Sequence, residues 1–254
     1  MNVLAYLKRI HYRGTLEPTA ATLRALHAAH LQLVPFENLD IYRRWLFDLE
    51  PAALFDKIVT RRRGGFCYEL NGLFALLLEQ LGFKVTRLAA RVIGGDGRVG
   101  PEFDHLTLQV QCRDQSRSLW LADVGFGDSF VAPLRFEETG VQPDGLRAYR
   151  IEGDEGGRWL WERDYDETWL RQYSFDLRPR QLSDFAAMCV WHQTSPDSVF
   201  TQRRICTRTT PDGRITLSEL RLITTVHGQH TERAINGEEE YQVVLSKEFG
   251  IVLT

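Results

Sequence analysis

At Gly82 the chain changes its hydrophobic period, and that change limits what it can fold into. Between Cys67 and Leu81, the residues Leu70, Leu73, Phe74, Leu77, Leu78 and Leu81 recur three and four positions apart on one face. This spacing predicts an amphipathic helix, with Gly82 as its left-handed cap. Beyond Gly82 apolar and polar residues alternate, and Val, Thr, Trp and Tyr gather between glycine-containing turns. Period-two alternation predicts short antiparallel strands. Helices first and strands second make an α+β chain.

The helical part reaches upstream. Leu4, Leu7 and Ile10 begin one helix, and Leu23, Leu26 and Ala29 mark a second, after Pro18, that Pro35 ends. A third is predicted from Pro51 to about Thr60, with proline at its first turn. In the β-rich part, residues 84–93 read as a strand and GGDG at 94–97 as a turn. Leu106, Leu108, Val110 and Cys112 form one face of the next strand, which a hairpin at 114–118 returns along 119–124. Strands at 146–152 and 159–163 flank a GDEGG turn, enough short strands for a barrel or sandwich. A helix over about 182–192, strands around Pro211-Asp212-Gly213 and a last strand over 241–245 complete the pattern. The predicted regions are 1–83, helical; 84–181, β-barrel; and 182–254, an interdomain helix followed by an α/β lid. No repeat or low-complexity linker separates them, so they are expected to pack closely and share a cleft.

The 254 residues, 43% hydrophobic, suffice for one large domain or two to three small ones. With 31 Lys plus Arg against 34 Asp plus Glu, the net charge of −3 gives no general attraction to nucleic acid or anionic membrane. Any anionic ligand must be held by a local patch. The opening MNVLAYLKRIHYRG lacks the apolar core of a signal peptide, and no stretch approaches the ~20 apolar residues of a membrane helix, so a cytoplasmic location is expected. Cys67, Cys112, Cys189 and Cys206 are widely spaced, without a C-x-x-C pair, and are expected to be free thiols.

Three residues carry chemistry. Cys67, in RRRGGFCYELNGLF, opens the long helix after two glycines. A helix N-terminus with a cationic neighbour favours the thiolate, although a cysteine there also serves as a small buried hydrophobe. His105, in EFDHLTLQV, opens a strand and shares with Thr107 and Gln109 the side opposite Leu106, Leu108 and Val110, which predicts the more polar side. Alone it reads rather as a surface or turn histidine. Asp123, in SLWLADVGFGDSF, has the strand parity of Leu119 and Leu121, placing a carboxylate on a face that looks buried. It would orient His105 and leave the other ring nitrogen for the thiol, or else cap the Gly125-Phe126-Gly127 turn.

RRRGGFCYELNGLF, DHLTLQV and LADVGFGDSF, in this order and at these separations, resemble the three catalytic segments of arylamine N-acetyltransferases. LVPFENLD after Gln32, and WHQTSPDSVFTQRR, are similar to two further motifs of that family, so the likeness spans almost the whole chain. The resemblance implies a three-domain fold of helical bundle, β-barrel and α/β lid with a cysteine-protease-like Cys-His-Asp core. It implies that Cys67, His105 and Asp123 form a catalytic triad. Cys67 would take an acetyl group from acetyl-CoA in a ping-pong reaction and pass it to an arylamine, arylhydroxylamine or hydrazine. His105 would serve as base, and backbone N–H groups at the helix start as an oxyanion site.

The family's acceptor pocket maps onto Phe36, Tyr68, Phe126 and Phe200, of which Phe36 and Phe200 also read as core residues. Thr107, Gly125 and Gly127 are the implied contacts to CoA. The Arg61-Arg62-Arg63 run meets either phosphate or, as charge runs usually do, only solvent. Cys112, Cys189 and Cys206 read as core. No histidine has metal-ligand spacing, and no metal is assigned. The sequence ends at Thr254, short against the family pattern, so a trimmed lid is expected. Two other readings share the triad: an amide synthase of ansamycin-type macrolactam biosynthesis, and a cysteine hydrolase with water as acceptor.

Overall fold

The computed structural model describes residues 1–47, 49–114, 117–154 and 157–253. The predicted turns at 114–118 and in GDEGG lie partly outside the described residues. Helices α1 (Val3–Arg9) and α2 (Ala20–Leu33) lead to a short strand β1 (Phe36–Glu37), followed by α3 (Leu39–Tyr42) and α4 (Pro51–Phe55). The helix expected over 51–60 is α4 followed by a wider π-turn, Asp56–Thr60. Then comes α5 (Cys67–Gln80), the predicted amphipathic helix. Its apolar face, Leu70, Leu73, Phe74 and Leu77, is fully buried.

The next eight strands are β2 (Lys84–Val92), β3 (His105–Gln111), β4 (Leu119–Ala122), β5 (Leu134–Arg135), β6 (Gln142–Asp144), β7 (Arg147–Asp154), β8 (Gly157–Arg163) and β9 (Trp169–Phe175). They form one sheet ordered β5-β4-β3-β2-β9-β8-β7-β6, which curls into a nearly closed barrel. At the seam the Gln142 side-chain amide stands in for a peptide: its oxygen accepts from the Arg135 N–H at 2.7 Å and its nitrogen donates to the Arg135 carbonyl at 3.0 Å. Pro143, which lacks an N–H, sits in this edge strand, where none is needed.

The two faces of β3 have different neighbours. Leu106, Leu108 and Val110 pack in the same core as α5. His105 and Thr107 are cross-strand partners of Ala90 and Leu88, which belong with Leu121, Tyr149 and Tyr173 to the barrel's own core. The side expected to be more polar is therefore the barrel interior, because the curled sheet covers both of its faces; His105 and Thr107 are buried.

A short 3₁₀ turn, Leu182–Phe185, enters α6 (Ala186–Thr194), and α7 (Val199–Gln202) follows. Strands β10 (Ile205–Thr210), β11 (Gly213–Ser218), β12 (Arg221–Val226) and β13 (Gln229–Ala234) form a second sheet in the order β1-β10-β11-β12-β13. Its end strand β1 comes from the helical region, so residues 1–83 and 182–254 share a sheet. The strand expected over 241–245 is instead α8 (Gly237–Val244), continued by a π-turn. Tyr241, Val244 and Leu245 are buried at helical spacing, and Glu238, Glu239 and Glu240 lie at the positive end of the helix dipole, two signals that outweigh the β-propensity of paired valines. Among the described residues no helix is long and apolar enough to cross a membrane.

Candidate functional site

The nucleophile candidate is delivered by a tight approach of two backbone segments. A Cβ at Gly64 would fall 2.0 Å from the Pro35 carbonyl oxygen, so only glycine lets the chain pass there. The next carbonyl, of Gly65, accepts from the Glu37 N–H at 2.8 Å. Phe66 caps α5, and its N–H is taken by Glu69 at 3.1 Å. Cys67 is then the first helical residue, buried, with its thiol on the wall of a cavity of about 390 Å³.

Beneath this helix start lies a buried ion network that sequence reasoning missed. Lys57 Nζ bridges Asp40 at 2.9 Å and Glu69 at 2.8 Å, while Arg63 bridges Glu37 at 2.8 Å and Asp40 at 2.9 Å. Arg63 is 3% exposed, so it belongs neither to a solvated run nor to a phosphate site. Arg62, at φ 54°, takes the left-handed turn between the exposed Arg61 and the buried Arg63.

His105 and Asp123 meet inside the barrel mouth, with Nε2 2.6 Å from Asp123 Oδ2. Three other donors saturate the carboxylate: Tyr173 Oη at 3.0 Å on Oδ2, and Asn71 Nδ2 at 2.8 Å and the Gly125 N–H at 3.0 Å on Oδ1. Burial pushes the Asp123 carboxyl up, but the facing His105 and the hydrogen bonds from His105, Asn71 and Gly125 hold it below the usual carboxylate range. The Tyr173 hydroxyl, pushed well up by burial, stays a donor. The Asp123 N–H donates to His27 Nε2 at 3.0 Å, and the opposite nitrogen of His27 lies 2.7 Å from the Val131 carbonyl. Burial pushes His27 down to about 4, keeping it neutral and able to accept.

Asn71 joins these parts. It stands one turn beyond Cys67 on α5, donates to the Leu106 carbonyl at 2.6 Å as well as to Asp123, and accepts from the Val124 N–H at 2.9 Å. Its i+4 spacing from Cys67 was a legible signal. Tyr173 and His27 had none.

Burial pushes the Cys67 thiol well up. A backbone hydrogen bond from Leu106 opposes this, and the Asp104 and Asp123 carboxylates add to it. The helix start therefore does not ionise the thiol alone, and the cationic neighbour that the sequence reading called for is still needed. The thiolate needs its proton moved to an adjacent base, and His105 lines the same cavity with Asp123 on its far nitrogen.

Phe36, Phe126 and Phe200 line the cavity. Tyr68 does not: it is buried behind the thiol, and its hydroxyl donates to the carbonyls of Phe103 and Asp104 at 2.7 and 3.1 Å, anchoring the segment that enters β3. Thr107 is also off the wall, its hydroxyl 3.3 Å from Tyr173 Oη, so it is not offered to a phosphate. Gly125 and Gly127 are on the wall, but the Gly125 N–H is committed to Asp123. The role of Gly125 is close approach: a Cβ there would lie 2.8 Å from Cys67 Cα. Gly127 has φ +91° and gives its carbonyl to Arg214. Cys112, Cys189 and Cys206 are buried and in no disulfide, and Cys189 Sγ accepts from Gln193 Nε2 at 3.3 Å. Among the described residues no group of three or more His, Cys, Asp or Glu is placed to hold a metal.

A thiol at a helix start and an imidazole on one cavity wall, with a buried carboxylate on the imidazole, define the cysteine-dependent acyl-transfer class. Residues 19–254 match the N-acetyltransferase family model. The chain is 36% identical over 252 residues to the arylamine N-acetyltransferase / N-hydroxyarylamine O-acetyltransferase of Salmonella typhimurium, covering 97% of this chain and 88% of that protein. It is likewise 36% identical over 258 residues to an arylamine N-acetyltransferase of Mycobacterium tuberculosis, covering 99% and 89%. The solved structure of the Mycobacterium marinum arylamine N-acetyltransferase in complex with CoA superposes with a TM-score of 0.91 at 34% identity, covering 98% of this chain and 93% of that one. This chain belongs to the arylamine N-acetyltransferase family of acyltransferases.

Proposed function

We propose that this enzyme transfers acetyl from acetyl-CoA to arylamines, arylhydroxylamines and hydrazines through a thioester on Cys67. In the first step the Cys67 proton passes to His105, and the thiolate attacks the acetyl carbonyl. The bond from that carbon to the CoA sulfur breaks, and CoA leaves with the proton. In the second, the acceptor nitrogen attacks the acetyl carbon and gives its proton to His105, and the bond to Cys67 sulfur breaks. Asp123 holds the imidazole orientation in both. Exchange of one thioester for another is nearly balanced in free energy, so base assistance, typically about 10²–10⁴ in rate, matters most for the amine step. The first N–H groups of α5, those of Cys67 and Tyr68, precede the Glu69 N–H that is taken by the Phe66 carbonyl and are the candidate oxyanion donors.

The observation that carries this reading is one cavity joining Cys67 and His105 to three phenylalanine rings. Those rings suit a flat aryl group. CoA bound to the Mycobacterium marinum protein, and the N-hydroxyarylamine activity in the name of the Salmonella relative, support the donor and one acceptor class. Arg203, exposed and on the cavity wall, is the cation best placed for a CoA phosphate.

Mass spectrometry of the protein with acetyl-CoA should show one acetyl adduct, on Cys67, that aniline discharges and Cys67→Ala abolishes. An adduct on another cysteine, or none, rejects the reading. An adduct that water discharges as fast as aniline does would instead make the chain a hydrolase.

A further inference from the structure

The cavity holds a second imidazole–carboxylate pair that the acyl-transfer steps do not use. Asp104, just before β3, and His192, on α6, both line the wall that also carries Cys67 and His105. Their side chains are 14% and 5% exposed, and His192 Nε2 lies 3.2 Å from Asp104 Oδ1. The two atoms are close but do not make a hydrogen bond, and Nε2 is buried without a hydrogen-bond partner.

Both groups are held in place. His192 Nδ1 is 3.3 Å from Ser198 Oγ, and its ring meets Phe66 and Phe200 edge-on with centroids 6.3 and 5.1 Å away. Asp104 Oδ2 accepts from the Val92 N–H at 3.2 Å. A carboxylate near Cys67 makes the thiol harder to ionise, so catalysis of the first step does not explain its presence. What the pair lacks is one small group that both donates and accepts. A hydroxyl does this with a single oxygen: its hydrogen goes to Asp104 and its lone pair takes Nε2–H.

We infer that Asp104 and His192 form a hydroxyl-recognition site in the acceptor cavity, making arylamines with a ring hydroxyl, the aminophenols, a favoured acceptor class. The inference rests on the arylamine reading of the cavity. A methoxy group releases electrons to the ring much as hydroxyl does, and it can accept from His192, but it has no hydrogen for Asp104. A site built to hydrogen-bond a hydroxyl discriminates strongly against the analogue that leaves its polar groups unpaired.

The test compares kcat/KM for N-acetylation of 2-, 3- and 4-aminophenol with the matching methoxyanilines. Both members of a pair discharge the same acetyl-Cys67, so their ratio cancels the first half-reaction. In the unmodified enzyme at least one pair should favour the phenol tenfold or more, mainly through KM. Asp104→Asn and, independently, His192→Phe should each bring that ratio to within about threefold of unity. If no pair exceeds threefold in the unmodified enzyme, the inference is overturned whether or not the variants fold. A tenfold preference that persists in a folded Asp104→Asn protein also overturns it. Acetyl-Cys67 is followed in the same samples: its absence rejects the proposed function, whereas its presence without phenol preference rejects only the hydroxyl site.

Discussion

The Cys67 thiol is raised by burial rather than lowered by its helix, which puts the burden of activation on the pair behind it. In the proposed mechanism His105 takes the thiol proton with its ring held through Nε2, where Asp123 makes a 2.6 Å contact. Asp123→Asn keeps the shape but removes the charge and allows the wrong tautomer; the equivalent change in a serine-protease triad costs about 10⁴ in rate. We expect Asp123→Asn to slow acetyl-Cys67 formation by roughly 10³–10⁴. The pH profile of Cys67 alkylation should move toward alkaline pH, because without a facing imidazolium the buried thiol ionises later. Stopped-flow CoA release and iodoacetamide kinetics measure the two; a loss below tenfold would falsify the role given to Asp123. All three of these residues were legible in the sequence, because Cys67 and His105 open α5 and β3 and Asp123 directly follows β4, where local pattern gives the facing. Tyr173 was not, since strand parity says which face a side chain takes but not which strand, 50 residues away, curls round to meet it.

At the scale of the element, α5 is seated on charge. Its N-terminal turn reaches Lys57 through Glu69, and Lys57 also neutralises Asp40. Burial pushes Glu69 up to about 7 even with Lys57 beside it. Removing one partner of a buried network strands the others, at a typical cost of about 3–5 kcal/mol. Lys57→Met should therefore destabilise the protein by about that amount, read as a lower urea midpoint with an unchanged slope. A loss under 1 kcal/mol would mean that water or local rearrangement compensates the carboxylates. The sequence showed α5 clearly, because fourteen residues of regular spacing outweigh any single exception. It hid the network, because Arg63 looks like its neighbours until Arg62 turns the chain, and it misassigned 241–245 because paired valines favour strand where the buried spacing is helical.

At the scale of the whole molecule, His27 ties α2 to the segment that follows β4 through Val131 and Asp123. Nothing local in the sequence foretold this, since the contacts span 104 and 96 residues. Burial holds the folded pKa near 4, below the ordinary 6.5, so the unfolded chain binds the extra proton between those values. Stability from neutral His27 is thus full above pH 6.5 and is lost as pH falls toward 4, by about 1.4 kcal/mol per unit or about 3 kcal/mol in all. Glu69 and Glu162 act in the opposite sense. Their folded carboxyls, pushed up to about 7 by burial, bind protons before the unfolded ones do and add stability over nearly the same range. The total profile is therefore flattened, and His27 shows only in a difference. His27→Gln should cost about 2 kcal/mol at pH 7.5 through its lost hydrogen bonds. That gap should close at about pH 5 and then reverse as pH falls to 4, because only the unmodified protein then has a buried imidazole resisting its proton. Urea unfolding of both proteins at half-unit intervals measures the gap; one that stays constant down to pH 4.5 would show that the His27 site accepts the charged ring.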